Sequence, residues 1–272
     1  MRYYVVSDVH GFYSELIVAL RDAGFFADVS EKKLIVCGDL MDRGQEAEKL
    51  QNFMLDLLEK DQLILIQGNH EDLMLCMLDD ILDDLGPFLD MRSYHIRNGT
   101  LDTALQLAHF SLADFMDHPR DLVFKAKQTP FVKKLIPYGV NYFETENHIF
   151  VHGWIPCRVS KEYTWCGMRN HFDPVKDWRK APNNQWREAR WINGMEAATF
   201  GKIIEPNKTI VCGHWHCSYG HSVIDRKCPE HGSDAIRDPY YGDGVIGIDA
   251  CTAVSRKINC VVIEDKNYNG NK

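Results

Sequence analysis

Several features of a membrane or nucleic-acid-binding protein are missing from this sequence. No apolar run approaches the ~20 residues that a helix needs to span a bilayer. The net charge is −8 at pH 7, and the Lys and Arg residues form no basic block. The chain enters a strand-like run at residues 3–6 without a basic and then apolar leader. We therefore expect no membrane association, no nucleic-acid polymer as a partner and a cytoplasmic location.

Cysteine is present, but its pattern does not indicate a disulfide framework. The nine Cys are an odd number and are spread from Cys37 to Cys260. Cys37, Cys212 and Cys260 stand within apolar, strand-like runs, where a thiol acts as a small core residue. We therefore expect reduced thiols, as in cytosolic proteins. A chain of 272 residues is also long enough to be stabilised by its core alone.

Short apolar runs that end in polar residues recur through the first seventy residues. Residues 3–7, 34–37 and 63–66 are strand-like, and the segments between them carry apolar residues at helical spacing. Alternation of this kind predicts an α/β sheet flanked by helices, with ligands bound beyond the carboxyl ends of the strands. Further strands are predicted at residues 140–145, 148–151, 209–212, 245–249 and 258–263.

Two stretches interrupt this pattern. Residues 72–137 are predicted to be helical, with one helix at 122–135. We interpret this region as an insertion or cap that covers one side of the ligand site at the strand ends. Residues 155–207 are rich in Trp and are predicted to be irregular, and residues 217–243 are predicted to form a polar loop. The predicted organisation is a single domain at 1–265, followed by a frayed tail at 266–272.

Five polar motifs each follow a predicted strand, and each contains a residue able to bind a metal ion. They are Asp8-x-His10, Gly38-Asp39-x-x-Asp42-Arg43-Gly44, Gly68-Asn69-His70-Glu71, His152-Gly153 and Gly213-His214-x-His216. Because strand ends converge on one rim of a twisted sheet, these side chains are expected to assemble. The mixture of carboxylate, imidazole and amide suits manganese, iron or zinc with positions open to water. The two oxygens of Asp39 allow it to bridge two ions, and the planar fork of Arg43 suits phosphate.

In this order, the five motifs resemble those of the calcineurin-like metallophosphoesterase superfamily. Within it, the GDxxDRG motif at residues 38–44 and the GNHE motif at residues 68–71 resemble the phosphoprotein phosphatase branch. That branch includes bacterial and bacteriophage Ser/Thr phosphatases and diadenosine tetraphosphate hydrolases. The motifs span residues 8–216, most of the chain. The resemblance implies a two-sheet β-sandwich flanked by helices, with α-β-β-α layers and the metal site at one edge.

The resemblance also implies a binding site for two divalent or trivalent metal ions, with manganese preferred and iron or zinc as alternatives. The implied ligands are Asp8 and His10 for the first ion, Asp39 as a bridge, and Asn69, His152 and His214 for the second ion. His216 occupies the position of a further ligand of the first ion in the wider superfamily, although phosphoprotein phosphatases usually lack it.

The implied reaction is hydrolysis of a phosphoester by a hydroxide that bridges the two ions and attacks phosphorus in line with the leaving oxygen. In this scheme His70 protonates the leaving group, and Asp42 orients the imidazole of His70. Arg43 binds the phosphate and stabilises the charge on its equatorial oxygens.

A second phosphate-binding arginine is usual in these phosphatases. Here Asn193 stands at the position where that arginine is expected. We predict that Arg190 replaces it, with Arg187 as the alternative.

Two enzymatic functions fit these motifs. We favour the first, phosphomonoester hydrolysis of the Ser/Thr protein phosphatase type, and the alternative is hydrolysis of a dinucleoside polyphosphate or another nucleotide. The partner is accordingly a phosphoprotein or a nucleotide. A non-catalytic scaffold is a third hypothesis, but it would require the loss of ligands or of the acid, and none is missing. The spacings of Cys217, His221, Cys228 and His231 match no common structural zinc pattern, so we expect a plain loop there.

Overall fold

Two β-sheets packed face to face form the centre of the molecule. The computed structural model describes residues 1–84, 93–164 and 167–266. The first sheet has three parallel strands and one antiparallel strand at its edge. In spatial order, its strands are β11 (Val261–Glu264), β1 (Arg2–Val6), β2 (Lys32–Cys37) and β3 (Leu63–Ile66).

The second sheet has three parallel strands at its centre and an antiparallel strand at each edge. In spatial order, its strands are β4 (Phe143–Glu144), β5 (His148–Phe150), β8 (Thr209–Cys212), β10 (Val245–Gly247) and β9 (Tyr240–Gly242). A separate antiparallel hairpin is formed by β6 (Cys157–Thr164) and β7 (Gly167–Pro174).

Side chains of β1 alternate between two interiors. Tyr3 and Val5 pack between the sheets, with Phe150 of the second sheet among their neighbours, whereas Tyr4 and Val6 face the helices. These four side chains are at most 2% exposed, whereas Arg2 at the start of β1 is not buried. A strand that is buried on both faces needs apolar residues at successive positions, and the sequence YYVV provides them. The predicted α-β-β-α architecture is confirmed.

Helices cover the outer faces of both sheets. The first sheet shares one core with α1 (Tyr13–Asp22), α2 (Ala47–Glu59), α3 (Asn69–Asp83), α5 (Thr100–Ala108) and α7 (Pro119–Gln128). The second sheet packs against α9 (Asn183–Ala189) and α10 (Gly194–Thr199). The shorter helices are α4 (Tyr94–Arg97), α6 (Leu112–Asp117), α8 (Ile136–Tyr138), α11 (Cys217–Tyr219) and α12 (Thr252–Ser255). None of the described helices is long and apolar enough to cross a membrane.

Three sequence predictions about elements were wrong. Residues 155–207 are not irregular but contain β6, β7, α9 and α10. The helix predicted at 122–135 ends at Gln128, because the residue before Pro130 is driven out of the helical conformation, and a π-helical turn follows at Phe131–Leu135. The loop predicted at 217–243 contains α11, a π-helical turn at Gly220–Ile224 and β9. The tail from residue 267 onward lies outside the described residues, and the single domain at 1–265 stays a prediction.

A buried carboxylate, Asp265, connects the end of β11 to the turn between β4 and β5. It accepts hydrogen bonds from Thr145 Oγ1 (2.7 Å), Asn147 N (2.9 Å) and His148 Nδ1 (2.8 Å). Burial alone would raise the pKa of Asp265, but these hydrogen bonds outweigh burial and hold the pKa well below its usual range. The folded protein therefore binds the ionised form of Asp265 in preference to the protonated form.

Replacing Asp265 by Asn is expected to lower the free energy of unfolding by about 2–3 kcal/mol at neutral pH, because hydrogen bonds to a charged acceptor are lost. Since the folded pKa is depressed, this stabilisation is complete above the unfolded pKa of about 4 and is lost as pH falls through the folded pKa. Denaturant unfolding of both proteins from neutral to acid pH measures the effect, with the exposed Asp243→Asn as the control. If the free energies of unfolding of the unmodified protein and of Asp265→Asn differed by a constant amount into the acid range, the ionised form of Asp265 would not be the source of the stabilisation.

Candidate metal centre

Backbone hydrogen bonds join the polar loops that follow the strands. Asp8 N donates to Gly38 O (3.1 Å), which joins the loops after β1 and β2. Gly213 N donates to His152 O (2.8 Å), which joins the loops after β5 and β8. The two sheets are connected at the same place, because His214 N donates to Asp8 Oδ2 (2.9 Å). The strand ends of both sheets thus form one rim.

Six residues of this rim have a left-handed backbone conformation, with φ between 51° and 79°. They are Asp8, His10, Asp39, Asp42, Arg43 and His214. Non-glycine residues rarely adopt this conformation, which costs about 1–3 kcal/mol per residue and persists only where the surroundings enforce it. All six were singled out from the sequence as site residues. The strain therefore coincides with the predicted centre.

Two groups of ligand atoms share Asp39. The first group joins Asp39 to His10 and His70, and the second joins it to His152 and His214; within each group the ligand atoms lie within 4.8 Å of one another. Asp39 Oδ2 lies 3.8 Å from Nε2 of both His10 and His70, whereas Oδ1 lies 3.3 Å from His152 Nε2. The two oxygens of Asp39 therefore face different groups, as a bridging carboxylate requires.

Asp8 and Asn69 add one oxygen ligand to each end of the centre. Asp8 Oδ1 lies 4.0 Å from His10 Nε2, and Asn69 Oδ1 lies 2.8 Å from His152 Nε2. Both side chains are buried. The structure thus brings together all the predicted metal ligands except His216, and it places His70 beside the first group.

Two glycines make room for this arrangement. A Cβ on Gly68 would lie 2.2 Å from Asp39 Oδ1, and a Cβ on Gly38 would lie 2.5 Å from His152 Nδ1. Gly38 also has a positive φ of 79°. Side chains at these positions would displace the bridging carboxylate and one imidazole, so glycine is required there.

The positions of the imidazole protons fit a bound cation. His10 Nδ1 lies 3.1 Å from Met41 O, and His152 Nδ1 lies 2.8 Å from Cys37 O. A carbonyl oxygen can only accept, so each ring carries its proton on Nδ1 and a lone pair on Nε2. The lone pair of His152 Nε2 faces Asp39 Oδ1 at 3.3 Å, whereas Nε2 of His10 lies 3.8 Å from Asp39 Oδ2 and accepts from Arg43. Acceptors that face one another in a buried site are stabilised by a cation between them, so the donor set fits divalent metal ions.

The charge states also fit metal binding. Burial lowers the pKa of His10, His152 and His214, for His214 to about 3, so these imidazoles are neutral at neutral pH. Burial raises the pKa of Asp8, and so does the charge of the neighbouring Asp249. Neutral imidazoles and crowded buried carboxylates form a site with excess negative charge, which divalent cations would neutralise.

His70 and Asp42 form a hydrogen-bonded pair beside the first group. His70 Nδ1 donates to Asp42 Oδ2 (2.7 Å), and Thr100 Oγ1 donates to the same oxygen (2.7 Å). Asp42 N donates to Thr103 Oγ1 (3.0 Å), so the first turn of α5 holds the pair in place. Burial lowers the pKa of His70, but the charges of Asp39 and Asp42 outweigh burial and raise that pKa above its ordinary value. The imidazole can therefore carry a proton, as a general acid requires.

Arg43 places an exposed guanidinium at the mouth of the centre. Its Nη1 donates to His10 Nε2 (2.7 Å), and its Nη2 is paired with His70 Nε2 at 3.2 Å. Gly99, just before α5, supports this loop closely, because an added Cβ would lie 2.4 Å from Arg43 N. The position of Arg43 suits the predicted contact with a phosphate group.

Arg190, which was predicted to bind phosphate, instead belongs to a buried polar network. Nη1 donates to Asp72 Oδ2, and Nη2 donates to Gln67 Oε1 and to Asn141 Oδ1 (2.8 Å). The side chain is only 6% exposed. Because both terminal nitrogens already have protein acceptors, this geometry does not support a phosphate ligand at Arg190. The alternative, Arg187, is 60% exposed, and its Nε lies 3.4 Å from Asp72 Oδ1.

His216, which was predicted to bind the first metal ion, points elsewhere. Its Nδ1 lies 2.7 Å from Ser218 Oγ, and its Nε2 lies 3.6 Å from Glu230 Oε1. Both ring nitrogens thus face partners outside the two groups around Asp39. The cause is the left-handed conformation of His214 (φ 65°), which breaks the two-residue alternation of an extended segment that would direct both histidines to one side.

Two further residues of the centre were not assigned a role from the sequence. Glu71 accepts hydrogen bonds from Asp39 N (3.1 Å) and Gly68 N (2.6 Å), so its carboxylate joins the loops after β2 and β3. Asp249 is buried, and its charge acts on Asp8. Asp249 could have been identified from the sequence, because it follows β10 and the carboxyl end of that strand lies on the same rim.

Comparisons with known proteins agree with this geometry. The family model for calcineurin-like phosphoesterases matches residues 1–238. The bis(5′-nucleosyl)-tetraphosphatase PrpE (asymmetrical) of Bacillus velezensis is 25% identical over 262 residues, 88% of this chain and 95% of that protein. Serine/threonine-protein phosphatase 1 of Salmonella typhimurium is 36% identical over 72 residues, 26% of this chain and 31% of that protein.

A solved structure of the cold-active protein-tyrosine phosphatase of a Shewanella species covers 97% of this chain and 75% of its own, with a TM-score of 0.48 and 16% identity. The family match extends over most of the chain and includes every loop of the rim except the one after β10. This protein is therefore a phosphoester hydrolase that belongs to the calcineurin-like phosphoesterase family.

Proposed function

We propose that this protein hydrolyses a dinucleoside polyphosphate at a dinuclear metal centre. One relative, which is matched over 95% of its own length, is named as a bis(5′-nucleosyl)-tetraphosphatase. The observation that carries the proposal is an aromatic cavity beside the metal centre. It favours the second of the two enzymatic functions that fit the sequence motifs.

The cavity has a volume of about 410 Å³, and its lining includes Trp191 and Trp215. These two residues are 45% and 37% exposed, so part of each ring is accessible to a ligand. Their ring centroids lie 5.7 Å (Trp191) and 6.1 Å (Trp215) from the ring centroid of His214. Accessible tryptophans provide stacking surfaces for a nucleobase, and stacking contributes about 1–3 kcal/mol per base. A nucleotide whose base is bound here would place its phosphates near the candidate metal ligands.

Asn193 gives the same cavity a polar contact. Its side chain is buried and lines the cavity, and its Oδ1 accepts from Glu196 N (3.2 Å) at the start of α10. Within the described part of the chain, Asn193 Nδ2 has no hydrogen-bond partner. A buried donor of this kind is costly unless a ligand satisfies it. Nucleobases carry ring nitrogens and carbonyl oxygens that accept hydrogen bonds, so a base would meet this need.

The residues of the centre would divide the work of hydrolysis between them. Asp39 and the side chains around it would hold metal ions, which would supply Lewis acidity and lower the pKa of a bound water. Arg43 binds a phosphate oxygen through its guanidinium and stabilises the charge that develops there. His70 gives a proton to the leaving phosphate oxygen, while Asp42 fixes the ring by accepting its Nδ1 hydrogen.

Dephosphorylation of a phosphoprotein is the second candidate. It is supported by the 36% identity over 72 residues with serine/threonine-protein phosphatase 1 of Salmonella typhimurium. The hydrolytic residues would be the same in both functions. The two candidates therefore differ in whether the tryptophan cavity binds part of the substrate.

The test compares diadenosine tetraphosphate, a phosphoserine peptide and a phosphotyrosine peptide as substrates of Mn²⁺-loaded protein, with Asp39→Asn as the blank. We expect the highest kcat/KM for the dinucleotide. Trp191→Ala is expected to raise KM for the dinucleotide by roughly 5–150-fold, the equivalent of one lost stacking contact. Hydrolysis of tripolyphosphate, which has no base, should change little.

Tyr241→Ala is the matched control, because Tyr241 is an aromatic residue that is 63% exposed and does not line the cavity. It should leave all kinetic constants near those of the unmodified protein. A preference for a phosphopeptide that is unaffected by Trp191→Ala would overturn the proposal in favour of the second candidate.

A further inference from the structure

A third group of ligand atoms lies apart from the two groups around Asp39. It consists of His216, which follows β8, and of Glu230 and His231, which lie in the segment before β9. His216 Nε2 lies 3.6 Å from Glu230 Oε1, and His231 Nε2 lies 4.0 Å from the same oxygen. The ring centroids of the two histidines are 5.5 Å apart. Two segments of chain therefore present two imidazoles and one carboxylate to a common point.

The hydrogen bonds of Ser218 determine which nitrogen of His216 carries the proton. Ser218 Oγ donates its only hydrogen to Glu230 O (2.8 Å). The same oxygen lies 2.7 Å from His216 Nδ1 and must therefore accept from it. In the neutral ring, the lone pair of His216 is consequently on Nε2 and faces Glu230 Oε1. Two acceptors that face each other repel unless a cation lies between them.

This arrangement has the features of a histidine that binds a metal ion. Such a histidine usually donates its other N–H to a hydroxyl, carbonyl or carboxylate group, and Ser218 accepts that hydrogen bond here. Ligand atoms around a tetrahedral Zn²⁺ are about 3.3 Å apart, which follows from Zn–N distances of about 2.0 Å. The separation between His216 and Glu230 is already near this value. The His231 side chain is 80% exposed, so it can close the remaining distance by rotating.

We propose that His216, Glu230 and His231 form a third metal site, separate from the dinuclear centre and selective for Zn²⁺ or a similar divalent transition metal ion. Two imidazoles and one carboxylate are a donor set that such ions prefer over Mg²⁺ or Ca²⁺, and a fourth position stays open to water. The proposal does not depend on the identity of the substrate.

The site would connect the segment before β9 to the wall of the aromatic cavity. Trp215 is stacked on His216, with the ring planes 24° apart and the centroids separated by 6.1 Å. An ion at His216 would therefore fix the orientation of Trp215 as well as the segment that carries Glu230. In this way the third ion would hold a cavity wall without taking part in hydrolysis.

The cysteines of this region are used differently. Cys217 Sγ donates to Gly247 O (3.1 Å), and Cys228 Sγ accepts from Ile236 N (3.4 Å). His221 Nε2 is paired with Asp238 O at 3.1 Å. The structure thus does not bring Cys217, His221, Cys228 and His231 together, in keeping with the sequence expectation, and His231 joins a different set.

Metal counting tests this site. Protein stripped with chelator is dialysed against Zn²⁺, and bound zinc is counted by mass spectrometry in the unmodified chain, His231→Ala and Glu230→Gln. Each variant is expected to lose one equivalent of zinc, and the Co²⁺-loaded forms should lose the visible absorption of one site. His109→Ala, which removes another exposed histidine that is 71% accessible, should lose none. Turnover of tripolyphosphate by His231→Ala should stay near normal.

The same count in an Asp39→Asn background separates this proposal from the proposed function. Asp39→Asn is expected to lose zinc from the dinuclear centre, and Asp39→Asn combined with His231→Ala should hold one equivalent less than Asp39→Asn alone. Equal zinc content in the unmodified chain, His231→Ala and Glu230→Gln would overturn the third site, whatever the substrate proves to be. So would equal zinc content in Asp39→Asn and in Asp39→Asn combined with His231→Ala.

Discussion

Asp39→Asn is expected to reduce turnover by at least about 10³-fold and to lower the metal content of the protein. Asp39 is shared by both groups, with Oδ1 3.3 Å from His152 Nε2 and Oδ2 3.8 Å from His10 Nε2. Asn retains the shape and one oxygen, but it has no charge, and its NH₂ group cannot bind a cation. The loss of several kcal/mol of Lewis-acid stabilisation corresponds to a rate factor of this size.

This substitution should leave the fold intact. Asp39 Oδ1 accepts from His70 N (3.0 Å), and the amide oxygen of Asn can accept the same hydrogen bond. Circular dichroism checks the fold, and mass spectrometry after dialysis counts the metal ions. Asp243→Asn, at an exposed carboxylate, should retain full turnover and metal content. If Asp39→Asn keeps its metal and near-normal turnover, Asp39 does not bridge two ions.

The rim of the metal centre could be predicted from the sequence because its geometry follows from the strands. Parallel strands end on the same side of a sheet, so residues that follow apolar runs meet without any further information. Asp8, Asp39 and Asn69 lie together at this rim for this reason. The glycines beside them indicated where the backbone turns sharply or another group approaches closely, as at Gly38 and Gly68.

Side-chain direction could not be predicted in the same way. His216 stands two residues after His214, yet the left-handed backbone of His214 turns it toward Ser218 and Glu230. Arg190 lies near the expected position, but its direction is decided by Asp72, which is 118 residues away in the chain. Neither the backbone conformation of His214 nor the distant partner of Arg190 can be predicted from the spacing of residues in the local sequence.

The residues that support the His70–Asp42 pair could not be predicted from the sequence either. Thr100 and Thr103 bind Asp42 from α5, a helix with apolar residues at ordinary spacing and no chemical motif. Their partner lies 58 and 61 residues earlier in the chain. The helical region therefore contributes to the site through hydroxyl groups that only the folded chain brings to Asp42.

The tryptophan cavity depends on elements that sequence periodicity did not predict. Its lining combines residues of the β6–β7 hairpin with residues near α9 and α10 and with Trp215 after β8. The hairpin alternates charged and apolar residues irregularly, so its strands lack a clear two-residue period. The choice of substrate is therefore the part of the function that the sequence motifs leave open, while the metal chemistry is the part that they specify.

His70→Asn is expected to slow the hydrolysis of substrates with poor leaving groups by about 10²–10⁴-fold, the usual contribution of a general acid. Substrates with good leaving groups should be slowed much less, because their leaving oxygen departs without a proton. The expectation follows from the 2.7 Å hydrogen bond between His70 Nδ1 and Asp42 Oδ2, which leaves Nε2 directed toward the centre beside Arg43. The measurement is kcat for a series of phosphoesters whose leaving groups differ in pKa. In His70→Asn, kcat should depend more steeply on the leaving-group pKa than in the unmodified protein.

Metal content distinguishes this role from a ligand role, since His70 Nε2 also lies 3.8 Å from Asp39 Oδ2. A general acid can be removed without loss of metal, whereas a ligand cannot. Asp42→Asn should give a weaker form of the same phenotype, because Asn keeps an acceptor for His70 Nδ1 but loses the charge that raises the pKa of His70. Equal losses for good and poor leaving groups, together with lost metal, would make His70 a ligand of the first ion, and protonation of the leaving group would then have to come from solvent.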